Sequence, residues 1–199
     1  MIKIKFHKNT FLHALFIFPF LVIFGTLSHE LGHIIMAQIL GFETILHYGS
    51  MDYYINGING EEIANPSTNF LITIAGVLQT IITGTIGIII LKYTKHLWFG
   101  VYLSLFWSRE VINLIMSTLN GVLYKKSYFG GDELILSNIL NLPEGTFSII
   151  LGIIGLFACL YAILKIPLNL RLSFLLGGLI SGILSYILWF STIGLYFLP

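Results

Sequence analysis

The stretch FLHALFIFPFLVIFGTLSHELGHIIMAQILGF, residues 11–42, decides how this chain is read. It is one long apolar run with a polar block set into it: Ser28, His29, Glu30 and His33. About 20 apolar residues are enough to cross the hydrocarbon of a bilayer as a helix. This run exceeds that, so it has length to tilt, and Pro19 predicts a kink. Two imidazoles and a carboxylate are costly in such a segment, and ionisable groups there are functional candidates by default.

The composition agrees with a membrane setting. The chain is 56% hydrophobic and only 10% charged, against about 25% charged in ordinary soluble domains. Polar groups are too few to cover a globular surface in water. The net charge of +1 offers no basic field to attract nucleic acid. One cysteine, Cys159, excludes an intrachain disulfide framework. Lys3, Lys5 and Lys8 precede the first apolar run, but no small-residue cleavage site follows, so that segment is expected to remain as a helix.

Five apolar segments are expected to span, at about residues 11–41, 69–91, 97–119, 147–164 and 172–198. Residues 42–68 are polar and contain Asn56-Gly57 and Asn59-Gly60, flanked by Tyr53, Tyr54, Ile55 and Ile58. That pattern predicts a small β-hairpin. Residues 120–146 contain Gly130-Gly131, then an apolar stretch from Asp132 to Leu142 closed by Pro143 and Gly145. It predicts a short helix. The expected fold is an all-α membrane protein. It has about five transmembrane helices, a β-hairpin after the first, and a short helix between the third and fourth. Residues 1–199 form a single integral membrane domain, with a core over 11–142 and two additional transmembrane helices over 147–198. Gly178 and Gly182, with Gly152 and Gly155, predict close helix packing in those last two.

Lysine and arginine positions set the expected orientation. A cytoplasmic N-terminus puts Lys3, Lys5, Lys8, Lys92, Lys95, Lys165 and Arg171 inside, with Lys125 and Lys126 outside. A multi-pass protein, in the cell membrane, with its N-terminus in the cytoplasm, is expected.

The polar block reads His29-Glu30-Leu31-Gly32-His33. On a helix, residues four apart share a face, so His29 and His33 can hold one metal ion. A zinc ion lowers the pKa of its water to about 7, and an adjacent carboxylate can take the proton. This is the HExxH arrangement of metalloproteases, with Glu30 as general base. A third protein ligand is needed, with one position left open. Asp132 and Glu110 are the candidates. Asp132 follows two glycines and lies on the same side of the membrane as His29 and His33; helix N-capping is its bland explanation. Glu110 lies in WSREVINLI, where pairing with Arg109 is an ordinary alternative.

At this point SHELGHIIMAQILGF resembles the metal-binding helix of the site-2 protease family of intramembrane zinc metalloproteases, in its short bacterial branch without a PDZ domain. Ala75 and Gly76 in ITIAGVLQTIITG resemble that family's Ala-Gly-Pro helix start, with Val77 in place of the proline. NLIMSTLNGVLYKKSYFGGDEL stands where the family has an asparagine followed by an Asp-Gly motif, with Glu133 in place of the glycine. The resemblance covers about residues 20–142. It implies Asp132 as third zinc ligand, one zinc per chain, and Asn113 as a residue that positions the substrate strand.

The expected function is an intramembrane zinc endopeptidase that cleaves a membrane protein substrate in or near its membrane-spanning segment. The hairpin after the metal helix suggests an edge strand, at Ile55, on which an extended substrate pairs. A membrane metal transporter or sensor using the same ligands is the alternative, as is an inactive relative that binds partners. A transporter is expected to carry polar residues in related halves of the chain, and no such repeat is visible.

Overall fold

The computed structural model describes residues 6–124 and 129–198; Lys3, Lys5, Lys125 and Lys126 lie outside that set. The first apolar run is one continuous helix, α1 (Lys8–Ile39), with Pro19 inside it. At 32 residues and about 1.5 Å per residue, it is longer than a bilayer core is thick. It ends by a Schellman closure. Gly41 takes φ +89°, its N–H donates to Gln38, and the Phe42 N–H donates to Ala37.

The chain then forms a three-stranded antiparallel sheet: β1 (Glu43–Leu46), β2 (Met51–Ile55) and β3 (Ile58–Asn59), in that spatial order. Asn56 and Gly57, at φ 50° and 76°, make the tight turn between β2 and β3. Asn59-Gly60 does not make a second hairpin turn. Asn59 instead caps the short helix α2 (Gly60–Ile63), accepting from the Glu61 N–H. Asn65 caps α3 (Pro66–Tyr93) by accepting from the Thr68 N–H, with Pro66 at its first position.

The third expected span is in two pieces. Helix α4 (Leu97–Ser104) passes through a 3-10 turn at Leu105–Trp107 into α5 (Ser108–Tyr124). Then come α6 (Gly131–Ile139), α7 (Thr146–Lys165), α8 (Leu168–Leu188), a π-helical turn (Trp189–Ile193) and α9 (Gly194–Phe197). Among the described residues, four helical stretches are long and apolar enough to cross a membrane: Lys8–Ile39, Pro66–Tyr93, Thr146–Lys165 and Leu168–Phe197. Large apolar side chains, including Phe16, Phe24, Phe157 and Ile183, stand exposed on their outer faces. Water disfavours such a surface and lipid does not.

Helix α1 packs on α3 and α8. Small residues make both crossings close. A β-carbon on Gly32 would lie 2.7 Å from the Ala75 carbonyl oxygen, and one on Gly177 would lie 2.5 Å from that of Phe11. Gly155 likewise seats α7 on Trp107, where a β-carbon would lie 2.8 Å from the carbonyl oxygen. Ala14, Leu91, Val101, Ala162, Ile166 and Phe174 form one apolar cluster, and Ala37, Tyr53 and Ile72 form another beside the sheet. Tyr53 donates to Asn69 Oδ1 at 2.7 Å, and burial pushes its phenol up to about 12. Along α1, His29 and His33 fall between these two apolar clusters.

The last helical stretch does more than scaffold. Trp189 Nε1 donates to the Tyr48 carbonyl at 2.7 Å, and the Tyr48 N–H donates to the Leu198 carbonyl at 3.0 Å. Gly49 sits directly beneath the Phe190 ring. The tip of the β1–β2 hairpin is thus tied to the π-helical turn.

Candidate metal centre

His29 and His33 are one helical turn apart on the buried face of α1. Each ring is oriented by a partner on α3. His33 Nδ1 lies 2.7 Å from the Ile72 carbonyl oxygen, which can only accept, so Nδ1 carries the proton. His29 Nδ1 lies 3.0 Å from Thr80 Oγ1, whose own hydroxyl donates to the Gly76 carbonyl. Nδ1 of His29 is therefore the donor there as well. Ile72, Gly76 and Thr80 recur every four residues and form one face of α3. Gly76 gives the His33 ring its space, since any β-carbon there would overlap the imidazole.

With both Nδ1 atoms protonated, both Nε2 atoms present lone pairs. They lie 3.0 Å apart. Asp132 Oδ2 is 2.8 Å from Nε2 of His29 and 3.4 Å from Nε2 of His33. Three acceptors converge with no proton of their own, and Arg109 Nη2 donates to two of them, His29 Nε2 at 2.7 Å and Asp132 Oδ2 at 3.0 Å; such a cluster suits a cation. Ligands about 2.0–2.1 Å from one tetrahedral ion lie roughly 3.3 Å from each other, so the three edges fit a zinc-sized ion slightly compactly. His29, His33 and Asp132 can together hold a metal ion, with an imidazole–imidazole–carboxylate donor set.

Asp132 reaches this position from the first turn of α6. Gly131, at φ +73°, turns the chain into the helix. Gly130 is the cap residue and no side chain caps the helix, so N-capping is not what Asp132 does. Glu110 is not brought to the histidines. Its Oε1 accepts from Arg109 Nη1 at 3.3 Å, while Oε2 is buried without a hydrogen-bond partner among the described residues.

Glu30 is buried, 9% exposed, and its carboxylate makes no hydrogen bond to a described residue. It lines a cavity of about 350 Å³ with His29, Thr80, Arg109 and Asn113. Most of the rest of the wall is apolar and includes Phe18, Ile112 and, from the last helical stretch, Tyr186 and Phe190, with Ser108 and Glu133 among its polar members. Asn113 donates to Glu133 Oε2 as well as lining the cavity. Ile55 is not at a free edge. It lies in the central strand, paired with Ile58, and is absent from the cavity wall. The Asn56-Gly57 turn folds β3 back onto it, which leaves β1 and β3 as the outer strands.

Two features escaped the sequence. One is Thr80, for which a hydroxyl four residues after Gly76 on one apolar helix face is the detectable signal. Arg109 pairs with Glu110, Asp132 and Glu133 together, with N–O distances of 3.3, 3.0 and 3.0 Å. No spacing rule connects positions 109 and 133. No family model, curated protein or solved structure matches the chain.

Proposed function

We propose that this protein is an intramembrane zinc endopeptidase of the site-2 protease type, hydrolysing a peptide bond in or near a membrane-spanning segment of its substrate. One observation carries the reading: three proton-free acceptors, from His29, His33 and Asp132, converge beside a buried carboxylate at a cavity. When bound, zinc supplies Lewis acidity that polarises a carbonyl and makes water a nucleophile near neutral pH.

The remaining steps belong to side chains. Ile72 and Thr80 fix the histidine tautomers, so that Nε2 of each ring faces the site. Glu30, with no hydrogen bond to a described residue, takes a proton from the attacking water and returns it to the departing amide nitrogen. The apolar cavity wall receives an apolar side chain of the substrate and limits stray water. The segment running from α4 into α5 serves as the fifth crossing. The N-terminus lies in the cytoplasm, which puts the sheet and α6 on the opposite side.

The test is metal content together with cleavage of membrane-spanning peptides in proteoliposomes, for wild type and Glu30→Gln. The variant is expected to keep one zinc per chain and lose cleavage. Zinc flux across the bilayer that persists in Glu30→Gln, with no cleavage by wild type, would make the protein a transporter instead.

A further inference from the structure

Arg109 is placed oddly for an arginine whose task is only to neutralise buried glutamates. A guanidinium paired with one carboxylate usually presents two nitrogens to its two oxygens. Here only Nη1 serves the glutamates, reaching Glu133 Oε1 at 3.0 Å and Glu110 Oε1 at 3.3 Å. The second oxygen of Glu133 takes Asn113 instead. Nη2 is turned the other way, 2.7 Å from His29 Nε2 and 3.0 Å from Asp132 Oδ2. The side chain keeps 34% exposure and lines the cavity beside Glu30.

That exposure matters because the donors of Nη2 are not spoken for by the glutamates. If a metal ion takes the His29 Nε2 lone pair, Nη2 loses that acceptor and has an N–H to offer to the cavity. A guanidinium next to a dication is repelled by it. Glu133 and Glu110, both essentially fully buried, hold Nη1 from behind and resist that displacement. Glu133 is in turn held by Asn113. The result is a preorganised donor beside the ligands, backed by buried carboxylates, and preorganised charge of this kind is effective at a developing oxyanion.

We propose that Arg109 donates from Nη2 to the carbonyl oxygen of the scissile peptide and stabilises the negative charge that develops there. Glu133, Glu110 and Asn113 are positioning residues for it. The proposal rests on the hydrolytic reading above. As the water oxygen bonds to the carbonyl carbon, the π pair moves onto the carbonyl oxygen, and Glu30 takes the water proton. When that pair returns, the C–N bond breaks and Glu30 protonates the nitrogen. Arg109 keeps its proton throughout and acts only as donor and charge.

The experiment uses the full chain in proteoliposomes. It compares wild type, Arg109→Lys, Arg109→Gln, Arg109→Ala, Glu133→Gln and the double variant Arg109→Gln/Glu133→Gln, which removes the arginine together with one of its buried glutamates and so leaves less unpaired charge to disturb folding. Zinc per chain, kcat, KM, and affinity for a phosphinic peptide and for an uncleavable substrate peptide are measured. Both glutamine variants are expected to keep zinc and hold KM within about 2-fold, while kcat falls by about 10²–10³-fold. Phosphinic-peptide affinity should fall by a similar factor and that for the uncleavable peptide should not. Arg109→Lys should retain part of both. Guanidinium ion should restore some cleavage to Arg109→Ala. Glu133→Gln should lower kcat less than Arg109→Gln, again without a KM change. Unchanged kcat in the glutamine variants, an effect wholly in KM, or loss of zinc on altering Arg109 would overturn the proposal. A wild type that neither binds zinc nor cleaves would remove the hydrolytic reading itself, and this one with it.

Discussion

The Nε2 atoms of His29 and His33 stand 3.0 Å apart while the Nδ1 proton of each ring is committed to α3. Two lone pairs at that distance repel, and the Asp132 carboxylate beside them adds to the repulsion. Arg109 Nη2, donating to His29 Nε2 and Asp132 Oδ2, offsets part of it, and a divalent ion held by all three groups would offset the rest. His29→Ala, His33→Ala and Asp132→Asn are each expected to lower bound zinc from one per chain to well below it. Glu110→Gln is expected to leave zinc in place, because Glu110 faces Arg109 rather than the rings. Elemental analysis of the purified variants checks this. Zinc loss in Glu110→Gln with zinc retained in Asp132→Asn would reverse the ligand assignment.

Thr80 makes a separable prediction. Thr80→Val keeps the shape of the side chain and removes the acceptor for His29 Nδ1–H. The ring then loses the group that fixes its tautomer. Loss of such a partner typically weakens metal binding by about 10–100-fold. Competition with a zinc chelator should reveal a shift of that size while the helical circular dichroism stays unchanged.

The parts of this site differ in how readable they were from the chain. His29, Glu30 and His33 are a local pattern, and helical periodicity alone puts two of them on one face. Asp132 took topology, two glycines and a family resemblance to single out. The partnership of Arg109 with Glu133 was beyond reach, since helix pairing brings together residues that no local rule relates. The break at Leu105–Trp107 was also hidden. That stretch is apolar and contains neither Gly nor Pro, so a 3-10 turn and a continuous helix look alike in sequence. Asn59 misled for a related reason: Asn-Gly suits a hairpin turn, yet the same side chain is a good helix cap, and the cap won.

Gly76 should be intolerant of any side chain. A β-carbon there would overlap the His33 imidazole, whereas one on Gly25 meets nothing within 4 Å. Overpacking of this kind costs about 1–3 kcal/mol, and here the ring that must move is a proposed ligand. Gly76→Ala is expected to lose both thermal stability and zinc, while Gly25→Ala keeps both. Melting curves and zinc content, measured on the pair, test it. A Gly76→Ala protein with full zinc would mean that α1 and α3 separate easily at this crossing.

The orientation can be read with single introduced cysteines, since the natural Cys159 is buried. Ser50, at the hairpin tip, and Lys95, between α3 and α4, are both exposed. With a cytoplasmic N-terminus, a membrane-impermeant maleimide added to intact cells should label Ser50→Cys and spare Lys95→Cys. Labelling of Lys95→Cys alone would invert the topology.

Trp189 links the end of the chain to the sheet. It is 5% exposed, and its indole N–H donates to the Tyr48 carbonyl at 2.7 Å. Trp189→Phe keeps an aromatic ring but leaves that carbonyl without its donor, at a cost of about 1 kcal/mol. The Tyr48 N–H bond to Leu198 then holds the tip less firmly. Amide hydrogen exchange over residues 47–50 is expected to quicken, while zinc content stays at the wild-type level because no ligand lies on the last helical stretch. If cleavage falls in parallel with the faster exchange, the hairpin tip contributes to substrate handling through its hold on Phe190, which lines the cavity. If exchange quickens and cleavage does not change, the tie between Trp189 and Tyr48 serves stability alone.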